Sequence, residues 1–375
     1  MSLSIEVKSD AVASTEPSPR RSRSAQVPTP RELAARFPLG LAAAQKVAAF
    51  RNQIINLVQG RDTRLLAVIG PCSVHDPRAA LEYAERLRPV AERLSDDLLV
   101  VMRVYLEKPR SSVGWKGLIS DPHLDGRCDV ANGLTLAREL MTQIAELGLP
   151  IATELLDANL SSYQTDLISW AAIGARTTES QPHRELASSL PFAVGFKNGT
   201  DGRLDGALGG MISAARPHHR LAPNQYGRLV LSESFGNPNC HVTLRGGDQG
   251  PNYGAEFVSL ASFRARAAGL PVRVLVDCSH GNSGKDHDNQ PKVLENVAEQ
   301  LALTESPLLG VMIESHLVAG RQALTESPAG LTYGQSITDA CVDFQTGERM
   351  LVSLANAARQ RSLRAAGSNA HVRPC

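Results

Sequence analysis

The chain has 375 residues, of which 42% are hydrophobic and 21% charged, and its formal net charge is +1. Such a length suffices for one domain of barrel size or for two smaller domains. The near-neutral charge excludes a general affinity for nucleic acid or a membrane surface, and no apolar run approaches the roughly 18 residues of a membrane span, so any affinity for anions must be local.

The N-terminal segment differs from the rest of the chain in composition. Residues 1–28 are rich in Ser, Pro, Arg and Thr, which predicts a disordered tail. Three acidic residues within the segment make an organelle-targeting peptide the less favoured alternative. Thr29 then has the type and position of a helix N-cap before Pro30, so the folded part is predicted to begin there.

The cysteines indicate the redox environment in which the protein works. Six of them are scattered along the chain without a CxxC pair or any tight spacing. This pattern predicts neither a disulfide framework nor a zinc ribbon, and a reducing compartment fits it best. We therefore expect a cytoplasmic protein.

A helix is predicted over residues 40–58, and eight short, nearly continuous apolar runs of strand length follow it. The runs cover residues 65–69, 98–104, 149–156, 167–174, 192–196, 241–244, 272–276 and 308–313. Segments with helical spacing lie between several of them, at residues 78–94, 133–147, 256–268 and 292–303. Strands that are apolar on both faces and alternate with helices imply a parallel sheet covered by helices. Eight such units predict an α/β fold of the (β/α)8 TIM-barrel type, with a doubly wound open sheet as the alternative.

Two connections are far longer than a loop and a helix require. They follow the second and the fifth predicted strands, at about residues 107–148 and 199–240. Insertions of this length usually build lids, oligomer contacts or effector sites. The sequence Gly-Asn-Pro-Asn at residues 236–239 predicts turns in the fifth connection, and a hairpin is one way to arrange them.

Every predicted strand ends in polar residues, and the carboxyl ends of all strands in a closed barrel meet at one mouth. Six cations stand at or just after these ends: Arg103, Lys108, Arg110, Arg176, Lys197 and Arg245. Each of them alone is more often half of a salt bridge than a ligand contact. Six together, several beside glycines that let a ligand approach the backbone, favour one or two small, multiply anionic substrates.

A second set of residues at or beyond the strand ends has side chains that bind metals. Cys72, His280, Glu314 and Asp339 offer a thiolate, an imidazole and two carboxylates, a set that suits several first-row divalent metals. Rivals for the same roles are His75, His183, His316 and Cys341. None of these residues are close in sequence, which weakens the argument for a metal site. The alternative is that Cys72 is an ordinary small buried residue at a strand end.

Several long motifs resemble, in their order along the chain, those of type I 3-deoxy-D-arabino-heptulosonate 7-phosphate (DAHP) synthase. They are residues 69–77 (IGPCSVHDP), 102–118, 174–180 (GARTTES), 183–188 (HRELAS), 195–202 (GFKNGTDG), 244–247 (LRGG), 279–280 (SH) and 334–341 (GQSITDAC). The resemblance spans about residues 29–360. It implies a (β/α)8 barrel that condenses phosphoenolpyruvate with D-erythrose 4-phosphate and water, releasing phosphate, in the first step of the shikimate pathway to aromatic amino acids. The catalytic domain is then expected over residues 29–361, with a flexible tail at 362–375.

The resemblance also implies roles for particular residues. A divalent metal (Mn²⁺, Fe²⁺, Co²⁺ or Zn²⁺) would be held by Cys72, His280, Glu314 and Asp339. Phosphoenolpyruvate would be bound by Arg103, Lys108, Arg176, Lys197 and Arg245. The phosphate of erythrose 4-phosphate would be bound by Pro109, Arg110 and the hydroxyl of Ser111. Glu154 matches an active-site carboxylate, and Lys108 is expected to transfer a proton to or from the aldehyde oxygen, with a purely electrostatic role as the alternative.

Other functions and properties stay open from the sequence. A related synthase that uses arabinose 5-phosphate or a mannosamine derivative is one alternative, and the Lys-Pro-Arg-Ser stretch at 108–111 argues against it. A catalytically silent, amino-acid-sensing barrel is another, and the intact set of metal and anion ligands argues against that. Phe-inhibited relatives often carry an effector-site Ser where this chain has Pro191, so the identity of an aromatic amino acid effector is left open. We expect a homodimer or homotetramer.

Overall fold

A computed structural model describes residues 25–110, 113–301, 306–324 and 328–370 of the chain. Within these ranges the strands are β1 (Leu65–Gly70), β2 (Leu98–Arg103), β3 (Ile151–Glu154), β4 (Ile168–Ile173), β5 (Ala193–Lys197), β6 (His219–Pro223), β7 (Leu229–Glu233), β8 (Cys240–Leu244), β9 (Val274–Asp277), β10 (Leu308–Glu314), β11 (Val318–Arg321) and β12 (Gln335–Ser336). The helices are α1 (Pro30–Arg36), α2 (Leu41–Val58), α3 (Pro77–Arg93), α4 (Val130–Glu146), α5 (Gln181–Ser188), α6 (Asp205–Ala214), α7 (Ala255–Ala267), α8 (Gln290–Leu301) and α9 (Phe344–Ala370).

Eight parallel strands close into a barrel in the order β1-β10-β9-β8-β5-β4-β3-β2. Each of them coincides with one of the predicted apolar runs, so the (β/α)8 TIM barrel is confirmed and the open sheet was the wrong alternative. The strands are apolar on both faces because alternate residues pack on opposite sides of the sheet. In β1, Leu65 and Ala67 join the core beneath the outer helices, whereas Leu66 and Val68 fill the inside of the barrel.

Helix α2 closes one end of the barrel. Its residues Ile54, Leu57 and Val58 are buried in the same cluster as the inward-facing Leu66 and Leu99, near the amino ends of β1 and β2. Closure of this end leaves the carboxyl ends of the strands, where the predicted site residues stand, as the open mouth.

The long second and fifth connections are both present. After β2, the chain is anchored by the buried Trp115 and Leu118 before it reaches α4. After β5, it forms α6 and the antiparallel hairpin of β6 and β7. The hairpin turns at residues 224–228, where the Asn224 side chain accepts hydrogen bonds from two backbone N–H groups. The turn predicted at 236–239 is also present and leads into β8.

The chain ends differ in how far the structure describes them. Thr29 caps α1 by accepting the Glu32 N–H, and the Glu32 carboxylate accepts the Thr29 N–H in return. Of the predicted tail at residues 1–28, residues 1–24 lie outside the described ranges. Helix α9 continues to Ala370 and therefore passes the boundary at 361 that we expected for the C-terminal tail.

None of the described helices is both long and apolar enough to cross a membrane.

A buried histidine in the barrel makes stability depend on pH. The Trp170 indole N–H donates to His241 Nε2 over 3.0 Å, and Nδ1 of this ring lies 3.1 Å from the Val242 carbonyl oxygen. Burial lowers the pKa of His241 from 6.5 to about 4, although the hydrogen bond with the Val242 carbonyl opposes the shift.

We expect this histidine to weaken the fold as the solution is acidified. Unfolded His241 takes up a proton below its ordinary pKa of 6.5, whereas the folded residue stays neutral until about 4. Its contribution to the free energy of unfolding should therefore fall by about 2 kcal/mol between pH 7 and pH 5. Urea titrations at three pH values would measure this slope, and His241→Gln should flatten it. Equal slopes for the two proteins would contradict the prediction.

Candidate active site

The predicted metal ligands meet at the mouth of the barrel. Ligand atoms of Cys72, Glu314 and Asp339 all lie within 4.8 Å of one another. His280 joins them, because its Nε2 lies 3.7 Å from Oε1 of Glu314. Side chains from the ends of β1, β9 and β10 and from the segment before α9 therefore converge on one point, although they are far apart in sequence.

The rival metal ligands are arranged differently. Cys341 Sγ accepts the backbone N–H of Cys72 at 3.4 Å, so it lies behind the predicted set. His183 Nε2 lies 2.7 Å from the Leu156 carbonyl oxygen, away from this cluster. The rings of His75 and His316 pack edge to face with their centroids 6.1 Å apart. The structure brings together the predicted set in preference to its rivals.

Lys108 lies directly against this cluster. Its Nζ donates to Cys72 Sγ at 2.7 Å and to Asp339 Oδ2 at 3.2 Å. Burial lowers the pKa of the Lys108 ammonium, but the electrostatic attraction of the Cys72 sulfur and the Asp339 carboxylate outweighs burial and raises this pKa. Burial and the charge of Glu314 raise the pKa of the Cys72 thiol to about 12, although Lys108 opposes this shift. Lys108 is therefore a protonated ammonium among groups that suit a divalent cation.

The donor set fits such a cation. One thiol, one imidazole and two carboxylates from the chain combine soft and hard ligand atoms, which suits Mn²⁺, Fe²⁺, Co²⁺ or Zn²⁺ more than Ca²⁺ or Mg²⁺. Arg103 is completely buried beneath the set, and its guanidinium lies 3.0 Å from Glu314 Oε1. This cation offsets part of the negative charge that the carboxylates place in the site.

Asp277, the last residue of β9, contacts two of the predicted site residues and was not itself predicted. It is fully buried, and its Oδ2 lies 2.9 Å from Lys197 Nζ and 2.9 Å from His280 Nδ1. Burial raises the pKa of this carboxyl, but His280 and Lys197 outweigh burial and hold the pKa well below its ordinary range. Because Nδ1 is held against this carboxylate, the Nε2 atom of His280 is turned toward Glu314. Its position directly after a predicted strand was the signal that could have revealed it.

A cavity of about 120 Å³ opens above the cluster. Its wall contains most of the predicted site residues: Lys108, Pro109, Arg110, Glu154, Arg176, Lys197, Arg245, His280 and Asp339. Ser111 lies outside the described residues. Glu154 packs closely on Gly174, where a Cβ would lie 2.1 Å from its Oε1, so a larger residue at 174 would displace the Glu154 carboxylate. Thr200 and Lys285 also line the cavity and were missed, because neither stands at the end of a strand.

The cations around this cavity differ in whether they are neutralised. Lys197 and Lys108 pair with Asp277 and Asp339. Arg176 and Arg245 form no salt bridge with any residue in the described ranges. Unpaired guanidinium groups are the side chains that most readily pair with the oxygens of phosphate or carboxylate.

Comparison with protein families matches residues 40–352 of the chain to the DAHP synthetase I family. The chain belongs to the DAHP synthetase I family. A relative named Tyr-sensitive phospho-2-dehydro-3-deoxyheptonate aldolase, from Salmonella typhimurium, is 50% identical over 86% of this chain and 90% of its own length. A Trp-sensitive relative of the same name, from Enterobacter agglomerans, is 50% identical over 91% of this chain and 98% of its own. The solved structure of phospho-2-dehydro-3-deoxyheptonate aldolase from Francisella tularensis has 44% identity and a TM-score of 0.89, covering 91% of this chain and 99% of that chain.

Membership of the DAHP synthetase I family confirms two of the predictions from sequence. The resemblance to type I DAHP synthase is correct, and so is the enzyme class, 3-deoxy-7-phosphoheptulonate synthase. This class belongs to the biosynthesis of aromatic amino acids, in agreement with the amino acid sensitivities in the names of the relatives.

Proposed function

We propose that the protein condenses phosphoenolpyruvate with D-erythrose 4-phosphate and water, giving DAHP and inorganic phosphate, and that it requires a divalent metal. The carrying observation is one cavity that combines unpaired Arg176 and Arg245, the Lys108 ammonium and a cluster of metal-binding side chains. Two phosphate esters and a carboxylate repel one another, and fixed cations are needed to bring them together in a reactive orientation.

Phosphoenolpyruvate would occupy the side of the cavity that faces β4, β5 and β8. Arg176, Lys197 and Arg245 line that side, and Lys108 and the deeper Arg103 would complete its set of cations. The planar guanidinium groups can hold phosphate and carboxylate oxygens in pairs, whereas the lysines act as point charges.

Erythrose 4-phosphate would enter from the side of the second connection. Arg110 lies on that side, and its Nε donates to the Trp115 carbonyl oxygen at 2.8 Å, which leaves the terminal nitrogens available to a phosphate. Pro109 stiffens the chain beside it, and the hydroxyl of Ser111 is the further phosphate donor that we propose.

Cys72, His280, Glu314 and Asp339 are the residues that we propose to hold the metal. A divalent ion there supplies electrophilic activation of an aldehyde. The enol carbon of phosphoenolpyruvate attacks the aldehyde carbon, water adds to C2, and phosphate leaves as its C–O bond breaks. Lys108 gives a proton to the aldehyde oxygen. Glu154, on the wall of the cavity, orients the water and accepts its proton.

A phosphate-release assay with both substrates tests the proposed function. We expect release that requires both substrates, stops on treatment with EDTA and returns on addition of Mn²⁺. Replacing erythrose 4-phosphate with arabinose 5-phosphate should abolish it. Release with the pentose alone would assign the related synthase, and no release with any aldose in the presence of Mn²⁺ would favour a non-catalytic barrel.

Replacement of Cys72 by Ala should remove metal and activity together. The thiol supplies the softest donor of the proposed set, and its loss should weaken metal binding by about 100-fold or more. Metal content after dialysis and phosphate release would be measured side by side. Cys240→Ala is the matched control, because Cys240 is also buried but lies at the opposite end of the barrel strands. Tightly bound metal in Cys72→Ala would exclude Cys72 as a ligand.

Regulation, assembly and location complete the proposal. An aromatic amino acid effector is supported by the names of the relatives, and initial rates with Phe, Tyr and Trp would identify it. A homodimer or homotetramer is supported by the exposed apolar side chains of the β6–β7 hairpin, among them Leu229 and Leu231. Free thiols at five described cysteines support a cytoplasmic location.

A further inference from the structure

The small inner cavity opens into a larger cavity on each side. One, of about 730 Å³, shares Lys108, Pro109, Arg110 and Arg176 with it and is the proposed entrance for erythrose 4-phosphate. The other, of about 520 Å³, shares Arg176, Thr200, Arg245 and Lys285 with it, and the proposed function assigns no substrate to the space beyond these residues. We refer to this second space as the Lys285 cavity.

The walls of the Lys285 cavity are positively charged. Four cations face it: Arg176, Arg245, Lys285 and Lys292. Within the described ranges, none of the four forms a salt bridge, and the wall contains a single carboxylate, that of Asp248. The entrance on the Arg110 side has four cations as well, Lys108, Arg110, Lys116 and Arg176, together with the carboxylates of Glu107 and Asp157. Both openings therefore favour anions, and the cations of the Lys285 cavity differ in that none of them forms a salt bridge within the described ranges.

A network of buried asparagines holds the wall of the Lys285 cavity in place. Asn198, Asn252 and Asn282 are between 0% and 5% exposed and connect the loops that follow β5, β8 and β9. Asn198 Oδ1 accepts the backbone N–H of Arg245 at 2.8 Å, and Asn282 Oδ1 accepts that of Asn252 at 2.8 Å. The Lys285 N–H closes its own loop by donating to the His280 carbonyl oxygen at 2.7 Å. This frame fixes the backbone from which Arg245 and Lys285 extend.

We propose that the Lys285 cavity binds inorganic phosphate through Lys285 and Lys292 and is the path by which this product leaves the enzyme. The inference rests on the proposed function, which frees phosphate beside Arg176 and Arg245. Those two residues face both cavities, so the anion can be passed outward without losing contact with a cation. A continuous positive surface lowers the cost of moving a dianion away from the site.

Binding of inorganic phosphate to the metal-loaded enzyme saturated with phosphoenolpyruvate tests this inference. Phosphoenolpyruvate occupies the Arg176 and Arg245 side of the inner cavity, and turnover is prevented by leaving out the aldose. All proteins in the comparison carry Arg110→Met, which removes the proposed site for the aldose phosphate. Isothermal titration should show phosphate binding to this complex, with a dissociation constant about tenfold higher in the double variant Lys285→Met/Lys292→Met. The matched control is Lys46→Met/Lys116→Met, which removes two exposed lysines, one on α2 and one at the Arg110 side. It should bind phosphate like the protein with Arg110→Met alone.

The outcomes separate this inference from the proposed function. Failure of phosphoenolpyruvate to bind would overturn the proposed function, and the same phosphate titrations without it would still compare the variants. No phosphate binding to the saturated enzyme, or equal affinities in the double variant and the protein with Arg110→Met alone, would overturn the Lys285 site. Weaker binding in the Lys46→Met/Lys116→Met control would move the phosphate site to the other entrance and would also overturn it.

Discussion

Replacing Lys108 with Ala should reduce turnover by about a thousandfold or more while leaving the fold intact. Its ammonium contacts Cys72 and Asp339 at the inner end of the cavity, where the aldehyde oxygen must take up a proton. Removal of the side chain takes away the proposed proton donor and a cation that both substrates need. Phosphate release would measure turnover, and the melting temperature would report the fold.

The other effects of this substitution separate the possible roles of Lys108. Metal affinity should be kept or increased, because a competing cation has left the cluster. Lys108→Arg keeps the charge but does not give up a proton at neutral pH, so it should be nearly as inactive as Lys108→Ala if proton transfer is the role. Substantial activity in Lys108→Arg would indicate an electrostatic role. Near-normal activity in Lys108→Ala would remove the residue from the mechanism.

Asp277→Asn should weaken two sites at once, although the residue itself would touch neither substrate nor metal. The carboxylate orients His280 and neutralises Lys197, both at 2.9 Å. We expect metal affinity to fall by about 10- to 100-fold, as for other carboxylates that support a ligating imidazole. The KM for phosphoenolpyruvate should rise about tenfold with the loss of Lys197 alignment. Metal titration of the apo protein and substrate kinetics with excess metal would measure the two effects separately.

Lys197→Met is the matched control for this second variant. It should raise the KM for phosphoenolpyruvate and leave metal affinity unchanged, because His280 keeps its carboxylate partner. Loss of Asp277 also leaves the buried Lys197 unpaired, which destabilises the fold by about 3–5 kcal/mol. Asp277→Asn/Lys197→Met should recover part of that stability without recovering metal affinity. An Asp277→Asn protein that binds metal like the unmodified chain would contradict the coupling.

The barrel could be predicted from the sequence because its strands are buried on both faces and separated by amphipathic helices. Helices α5, α6 and α9 were not predicted. In α6, three glycines lower helix propensity, and burial against the barrel stabilises the helix instead. The turn predicted at 236–239 from its Pro and Asn residues is present before β8, whereas the hairpin turn at 224–228 depends on hydrogen bonds of the Asn224 side chain, a weaker signal in the sequence.

The candidate site was predicted as a collection of residues, and the contacts between them were not. Position at the strand ends indicated that cations and metal-binding side chains would meet at one mouth. Two features depend on the register of the barrel strands and on the course of the loops: the contact of Lys108 with Cys72 and the two contacts of Asp277. Neither register nor loop course can be predicted from the residues next to them in sequence. Lys285 and Thr200 escaped notice for the same reason, because they lie within loops rather than directly after strands.

Helix α2 has a consequence for how far the chain can be shortened. Its apolar side chains Ile54, Leu57 and Val58 shield the barrel interior from water at the end away from the mouth. A truncation that starts at residue 60 would keep every proposed ligand and every barrel strand. It would also expose the apolar interior at this end of the barrel to water, and we expect the fragment to aggregate. The smallest fragment that folds should therefore include residues that contribute nothing to chemistry.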